Sequence, residues 1–126
     1  MKPADFLDQV FSNVWETMSP DAISQYYHQD VVAKMGDQVA DYQDIVKRCE
    51  YVKTHYSSLR NHVLLCMGDE HEITAYCKQV LTRRSDGCDD VFHMLIRYEL
   101  SDHKVKTIHA TFSPAFDYFE HDDLVA

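Results

Sequence analysis

"VFHMLIRYELSDHKVKTIHATFSP", residues 91–114, contains two runs of alternating apolar and polar residues. The polar tripeptide at 101–103 separates the two runs. Successive side chains of a β-strand point to opposite faces of a sheet, so this alternation predicts two strands. Because the break between them is short, the strands are predicted to pair as an antiparallel hairpin.

The two faces of this hairpin differ in polarity, and the apolar face is expected to lie against helices. That face carries Phe92, Met94, Ile96, Tyr98 and Leu100 on the first strand and Ile108, Ala110 and Phe112 on the second. The opposite face carries His93, Arg97, Glu99, Thr107, His109 and Thr111. With the strands in register, His93 and His109 are predicted to be opposite or diagonal neighbours.

A pair of adjacent imidazoles could bind a metal ion or relay a proton. A zinc or iron site needs a further ligand, and none is evident here, although Glu99 lies on the same face. We therefore predict no metal site and expect His93 and His109 on an outer sheet face, in solvent or at a dimer interface. The alternative is that this polar face, together with His62 on an adjoining strand, lines a cavity.

The alternation begins well before the hairpin. The segments SLRNHVLLCM at 58–67 and EITAYCKQVLT at 72–82 have the same period of two. With 90–100 and 104–112 they predict four consecutive antiparallel strands, separated by turn-like breaks.

The N-terminal part predicts three helices and one short strand at 31–35, which ends in a turn at 36–37. Helix one has an apolar stripe made of Phe6, Leu7, Val10, Phe11, Val14, Trp15 and Met18. Ser19 is predicted to cap helix two, whose buried side carries Ile23, Tyr26 and Tyr27. Asp41 is predicted to cap helix three. The fold class predicted is α+β, with helices on one face of a curved antiparallel sheet.

Length and charge narrow the classes of protein further. The chain has 126 residues and a formal net charge of -9, which predicts a single domain over 1–126. An acidic surface repels phosphate groups, so neither nucleic acid nor a membrane surface is an expected partner. No apolar run reaches the roughly 18 residues of a membrane span, and the first residues do not resemble a secretory signal. The four cysteines form no CxxC pair, which is typical of reduced cysteines in a cytoplasmic protein.

This order of elements resembles the nuclear-transport-factor-2-like superfamily, which includes SnoaL-like cyclases and ketosteroid isomerase. The resemblance covers about Asp5 to Phe116. It rests on Trp15 in helix one, on SPDAISQYYHQDVV at 19–32, and on the ending HKVKTIHATFSP at 103–114. It implies a cone-shaped sheet wrapped around helix one, a pocket at the open end, and a homodimer formed through the outer sheet face.

The resemblance to ketosteroid isomerase does not extend to its functional groups. The positions of its aspartate base and of its oxyanion-donating tyrosine correspond to Met35 and Phe11 here. The position of its protonated aspartic acid corresponds to Met94 or Ile96. None of these side chains can transfer a proton or donate a strong hydrogen bond, so isomerisation of that type is not expected. Catalytic residues are not identified, and turnover as a lyase, cyclase or isomerase is left open.

The expected ligand is a small hydrophobic or aromatic molecule, bound without a cofactor. The pocket candidates are Trp15, Tyr26, Tyr76, Met94, Tyr98, Ala110 and Phe112. Tyr76 is included although its strand shows no clear inward face. Two alternatives stay open: the aromatic rings simply fill the core, or the chain is a non-catalytic dimeric interaction module that uses its outer sheet face.

Overall fold

The computed structural model describes residues 2–114, so Phe116, where the resemblance ends, lies outside the described residues. Helix α1 (Pro3–Val10) continues as a π-helical segment (Phe11–Glu16), and a 3-10 turn (Pro20–Ala22) leads into a short helix α2 (Ile23–Tyr26). The remaining elements are β1 (Tyr27–Met35), β2 (Gln38–Ala40), α3 (Tyr42–His55), β3 (Tyr56–Gly68), β4 (Glu72–Arg83), β5 (Asp89–Ser101) and β6 (Lys104–Ser113).

The predicted apolar stripe of helix one is confirmed. Its buried members are Phe6, Leu7, Val10, Phe11, Val14 and Met18. The helix widens after Val10, and it ends where the Ser19 backbone N–H donates to the Val14 carbonyl five residues earlier, at 2.8 Å. None of the described helices is long and apolar enough to cross a membrane.

The prediction for helix two was partly wrong. Helix α2 has only four residues, and Tyr27 already has an extended backbone and pairs with Val105. Ser19 makes no capping hydrogen bond, because its hydroxyl donates to the Thr17 carbonyl at 3.3 Å instead. Pairing with a distant strand therefore shortens this helix.

Helix α3 begins as predicted. The Asp41 carboxylate accepts from the Asp44 backbone N–H at 3.0 Å, and the Asp44 carboxylate accepts from the Asp41 N–H at 2.9 Å. This reciprocal pair is a capping box, and it satisfies two backbone donors at the helix start.

The sheet has six strands in the order β2-β1-β6-β5-β4-β3. The predicted antiparallel succession from β3 to β6 is confirmed. Two features were not predicted: β2, which pairs with β1, and the parallel pairing of β1 with β6. The α+β class is confirmed, since helices lie on one side of a curled, unclosed and mostly antiparallel sheet.

The inner face of the sheet forms the core with the helices. Met94, Ile96 and Tyr98 on β5 are 4–5% exposed, which confirms the predicted inward face of the hairpin. Buried neighbours on β4 and β6 are Ile73, Ala75, Cys77, Ile108 and Ala110. The inner face thus supplies the wall against which a cavity is built.

The outer face carries an exposed apolar row across three adjacent strands. Leu65 pairs with Tyr76, and Tyr76 pairs with Leu95. Their exposed fractions are 56%, 40% and 53%. Such a row on the solvent side of a sheet is unusual, and we call it the outer apolar row.

Candidate functional site

A cavity of about 90 Å³ lies between the helices and the inner face of the sheet. Its lining is mostly aliphatic and aromatic, and the residues that contribute are Phe11, Trp15, Tyr27, Ala33, Met35, Ile45, Arg48, Val52, Leu59, Gln79, Met94, Ile96, Tyr98, Ile108, Ala110 and Phe112. Apolar walls with a few polar groups are typical of small-molecule sites.

The structure brings five of the seven pocket candidates together at this cavity. They are Trp15, Met94, Tyr98, Ala110 and Phe112. The even-numbered positions of β5 and β6 reach the cavity because the alternation of each strand puts them on the inner face. As ligand-binding residues, all seven candidates remain predictions.

Tyr26 and Tyr76 do not line the cavity. The Tyr26 ring packs edge-on against Phe6 with centroids 6.2 Å apart, and its hydroxyl accepts from Asn13 Nδ2 at 2.7 Å. Tyr76 faces outward, because the inward positions of β4 are the odd-numbered Ala75 and Cys77. Contrary to the prediction, neither tyrosine therefore forms part of the wall of this cavity.

Tyr27 is a lining residue that sequence reasoning assigned only to the core. Trp15 Nε1 donates to its hydroxyl at 3.0 Å, and the Tyr98 side chain also hydrogen-bonds to it. The pairing of β1 with β6 places Tyr27 beside the wall formed by Tyr98. The three side chains form a hydrogen-bonded cluster, which we call the Trp-Tyr-Tyr cluster.

Burial determines the ionisation of Tyr27, which is 2% exposed. Desolvation raises its pKa to about 12, and the hydrogen bonds from Trp15 and Tyr98 oppose that rise. The phenol therefore keeps its proton at neutral pH and acts through hydrogen bonds rather than as a base.

Arg48 is the one charged residue among the described residues that line the cavity. It lies three residues after Ile45 and four before Val52, and both of these are 2% exposed, so all three share the buried face of α3. Its guanidinium lies over the Tyr51 ring, 5.1 Å from the centroid. In the sequence, Arg48 is a basic residue that lies between the apolar positions of helix three. The helical pattern alone assigns no role to such a residue.

Gln79 adds an amide to the wall of the cavity. Its Nε2 donates to Asn61 Oδ1 at 3.1 Å, and the Asn61 backbone N–H donates to Glu16 Oε2 at 2.9 Å. Asn61 Nδ2 is buried and has no hydrogen-bond partner among residues 2–114. Sequence reasoning missed this amide pair, because two polar residues on different strands give no local signal of contact.

The positions matched to the functional groups of ketosteroid isomerase do lie at the cavity. Phe11, Met35, Met94 and Ile96 are all lining residues. Among the described lining residues there is no carboxylate, imidazole or thiol. Trp15 and Tyr98 already hydrogen-bond to the Tyr27 hydroxyl, so the polar groups that face a ligand are that hydroxyl, the Gln79 amide and the Arg48 guanidinium. They can hold and polarise a ligand oxygen, but they supply no base of ordinary strength.

The buried cysteines supply no nucleophile either. Desolvation raises the pKa of the Cys49 thiol to about 12 and that of the Cys77 thiol to about 11. The thiolate is the reactive form of cysteine, so both thiols are unreactive at neutral pH.

The predicted proximity of His93 and His109 was wrong. His93 pairs with Ser113, whereas His109 pairs with Arg97, so the two histidines lie four residues apart along the hairpin. The two-residue turn at 102–103 places Ser101 opposite Lys104, and a one-residue bulge at Lys106 of β6 shifts the pairing by one more residue, so that Glu99 pairs with Thr107. Across the part of the chain described, no three His, Cys, Asp or Glu side chains form a group that could hold a metal ion.

The three histidines considered from the sequence all lie on the outer side of the sheet. His93 stacks on the Tyr76 ring with centroids 6.0 Å apart, and His109 Nε2 lies 3.5 Å from Glu99 Oε1. His62 is exposed and pairs with Lys78, the same residue that pairs with His93 on the other side. The alternative in which these histidines line the cavity was therefore wrong.

Comparison with known proteins gives structural matches but no sequence matches. No protein-family model and no curated protein sequence matches the chain. IdmH from Streptomyces antibioticus, described as a "putative polyketide cyclase", is 11% identical, with a TM-score of 0.75 over 90% of this chain and 94% of that one. A "Putative SnoaL-like polyketide cyclase" from Jannaschia Sp. CCS1 is 8% identical, with a TM-score of 0.73 over 89% and 85% of the two chains.

A third similar structure is a hypothetical protein from Catenulispora acidiphila, with a ketosteroid isomerase-like fold and solved in complex with trimethylamine. It is 7% identical, with a TM-score of 0.67 over 81% of both chains. Identities this low carry information about the fold alone. The chain therefore has the cone-like α+β fold of the nuclear-transport-factor-2-like superfamily, the fold shared by SnoaL-like cyclases and ketosteroid isomerase-like proteins.

Proposed function

We propose that this protein binds a small hydrophobic or aromatic molecule in the cavity between its helices and its sheet. The observation that carries the proposal is the Trp-Tyr-Tyr cluster set into a mostly apolar wall. A wall of this kind buries the body of a ligand, while a few fixed donors orient one polar atom.

The size of the cavity limits the ligand. Its volume is about 90 Å³, whereas a dry apolar cavity that binds benzene has about 150 Å³. A short branched chain therefore fits the cavity as it stands, and a single aromatic ring fits with small movements of the lining side chains. A fused-ring compound requires a larger opening of the cone.

The chemistry of the lining favours binding over proton transfer. The structural neighbours include proteins described as putative polyketide cyclases. Here the Tyr27 hydroxyl, which Trp15 and Tyr98 hold in place, can donate to a carbonyl oxygen, but the described lining has no carboxylate or imidazole to remove a proton. We therefore propose ligand binding as the function. Lyase, cyclase or isomerase turnover would need a base from elsewhere.

The single tryptophan makes the proposal testable. Trp15 lines the cavity, so a ligand that enters is expected to shift the one indole N–H resonance in a nitrogen–proton NMR spectrum and to raise the melting temperature. The Ala110→Leu variant fills the cavity and is expected to abolish both effects. Thr111→Leu is the matched control, because it introduces the same leucine side chain at the next residue, on the exposed face.

A screen of small aromatic and branched aliphatic compounds tests whether the cavity binds a ligand. If no compound shifts the indole resonance of the folded wild-type protein, the proposal is wrong. If the Ala110→Leu and Thr111→Leu variants respond alike to a compound that binds, that compound does not occupy this cavity.

We also propose that two copies pair through the outer face of the sheet. The supporting observation is the outer apolar row, because Leu65, Tyr76 and Leu95 together leave a contiguous apolar strip in solvent. A twofold axis through such a strip brings like residues together and buries them in both copies. This dimer is compatible with the ligand site, which lies on the other side of the sheet. If the protein were only a protein-interaction module and bound no small molecule, this outer face would be its functional surface.

We place the protein in the cytoplasm. Cys49, Cys66, Cys77 and Cys88 are all free thiols. Reducing compartments keep thiols in that state, whereas secreted domains of this size commonly contain disulfides.

A further inference from the structure

We infer that the ligand carries a hydroxyl group, as a small alcohol or phenol does, and that this hydroxyl donates to the side-chain carbonyl of Gln79. The inference rests on the proposed function, because it assigns the chemical class of the molecule held in the same cavity. It follows from a pair of amide side chains on the inner face of the sheet.

The amide pair consists of Asn61 and Gln79, which lie directly opposite each other on β3 and β4. On one side of this pair lie Leu59 and Leu81, which also face each other and are almost completely buried. On the other side Cys77 is completely buried. The two amides therefore occupy inward positions among apolar residues, and Gln79 lines the cavity.

A chain of hydrogen bonds fixes the orientation of the Gln79 amide. Its Nε2 donates to Asn61 Oδ1 at 3.1 Å, and the Asn61 backbone N–H donates to Glu16 Oε2 at 2.9 Å. Because Asn61 holds the nitrogen end of this amide, the carbonyl end is the one left for a ligand. Within residues 2–114 the Gln79 carbonyl oxygen has no hydrogen-bond partner.

The amide pair does not give these positions their greatest stability. Asn61 Nδ2 is buried and has no hydrogen-bond partner in the part of the chain that the structure describes. A buried donor without an acceptor lowers stability, whereas two apolar side chains of the same shape would be nearly neutral or stabilising. This cost indicates that the amides serve the cavity rather than the core.

Among neutral groups, the Gln79 carbonyl favours a hydroxyl. A carbonyl oxygen can only accept hydrogen bonds, so an O–H group of the ligand pairs with it, whereas a ketone or an ether leaves it unpaired. A hydroxyl is also smaller than a carboxamide, another neutral donor, which suits a cavity of about 90 Å³. A ring or branched chain with one hydroxyl therefore matches both the apolar walls and this acceptor.

Two pairs of probes test the inference, because the members of each pair differ in one group. The pairs are phenol with toluene and cyclopentanol with cyclopentanone, each titrated against the Trp15 indole resonance. The measured quantity is the ratio of the two affinities within a pair. Comparing this ratio between the wild type and a variant cancels the different hydration of the free probes.

Variants of β4 assign the hydroxyl preference to one side chain. Gln79→Met keeps the length of the side chain but removes its carbonyl. We expect it to lower the affinity ratio of the hydroxyl probe to its partner about tenfold, the usual effect of leaving a buried hydroxyl unpaired. Lys78→Met is the matched control, because it removes a polar group from the next residue, which is exposed, and should leave the ratio unchanged.

A double variant, Asn61→Leu with Gln79→Met, separates a role in binding from a role in folding. It removes both amides together, and with them the buried Asn61 N–H that has no partner among the described residues. We expect its melting temperature to equal or exceed that of the wild type, while the hydroxyl preference is lost. A melting temperature well below that of the wild type would show that the core needs the pair, which contradicts the inference.

The outcomes separate this inference from the proposed function. If the affinity ratios are the same in the wild type and in Gln79→Met, Gln79 does not bind the hydroxyl, so the inference is wrong and the ligand cavity stands. If none of the four probes shifts the indole resonance of the wild type, the inference is also wrong. The proposed function fails with it only when the wider screen yields no ligand either.

Discussion

The Tyr27 hydroxyl hydrogen-bonds to two other side chains in a cavity wall that is mostly apolar. Trp15 Nε1 donates to it at 3.0 Å, and Tyr98 hydrogen-bonds to it. A buried donor that loses its acceptor pays the full cost of its desolvation, so this hydroxyl supports its neighbours as well as itself.

Tyr27→Phe removes the acceptor of the Trp15 indole without changing the shape of the ring. We expect the free energy of unfolding at pH 7 to fall by about 1–2 kcal/mol, as measured by urea denaturation. Tyr76→Phe is the control. Its ring lies on the outer face and is 40% exposed, so a change within about 0.5 kcal/mol is expected.

The pH dependence of the same pair of proteins checks the pKa of Tyr27. Above its ordinary value of 10.0 the phenol ionises in the unfolded chain, but in the folded protein it stays protonated up to about 12. Wild-type stability is therefore expected to decline between these pH values, by at most about 1.4 kcal/mol per pH unit from this group. Tyr27→Phe lacks this loss, so the difference in free energy of unfolding between the wild type and the variant should become smaller as the pH rises. A constant difference would show that the pKa is not raised.

Single residues were predictable where a strand or helix pattern alone placed them. Met94, Tyr98, Ala110 and Phe112 reach the cavity because their inward face followed from alternation. Arg48 and Gln79 were not predictable, because a polar residue on an inward face contradicts the pattern from which that face is inferred. The role of such a polar residue depends on contacts between elements that are distant in sequence.

Helix α3 connects the capping box at its start to the cavity further along. Asp41 and Asp44 exchange hydrogen bonds at its N-terminus, and Arg48 follows on the next turn of the buried face. The Asp44 N–H holds the pKa of the Asp41 carboxyl below its usual range, because the hydrogen bond favours the ionised form. The cap therefore stabilises the helix that positions the guanidinium.

Asp41→Ala removes the cap and is expected to lower the melting temperature by roughly 4 °C. Asp41→Asn keeps a side-chain oxygen as acceptor and should retain most of the stability. Asp37→Ala, in the exposed turn before β2, serves as the control for loss of a charge. Equal melting temperatures for Asp41→Ala and Asp37→Ala would contradict the role of the cap.

Secondary structure was predictable wherever its period extended over many residues. The four strands of the meander and helix α3 needed only periods of 2 and 3.6. Strand β2 has three residues, which is too short for a period to be detected. The start of β1 at Tyr27 depends on hydrogen bonds to β6, and helical spacing in the local sequence favoured the wrong element.

The two faces of the sheet differ in their surroundings. The inner face contributes to the cavity, and the outer apolar row is exposed, where the proposed dimer would bury it. The general architecture was predictable from the order of elements. The outer apolar row was not, because its three residues come from strands whose relative register the sequence does not specify.

Leu95→Glu places a carboxylate in the middle of the outer apolar row. In sedimentation experiments we expect the wild type to be a dimer and this variant to be a monomer, because a twofold axis would bring two charges together in an apolar contact. Val39→Glu is the matched control, since Val39 is 61% exposed on β2, three strands away. A monomeric wild type, or a dimer unaffected by Leu95→Glu, would contradict the proposed interface.

The position of β6 has a consequence for how the protein is made. This strand is the last of the six in sequence, but it lies inside the sheet between β1 and β5. During translation β1 leaves the ribosome long before its partner, so the hydrophobic surface beneath it stays incomplete until residues 104–113 emerge. A nascent chain stopped before β6 would expose two unpaired strand edges, which are templates for aggregation. Closing the sheet requires contact between residues as distant as Tyr27 and Val105, which makes late and slow completion of the fold the expected order of events.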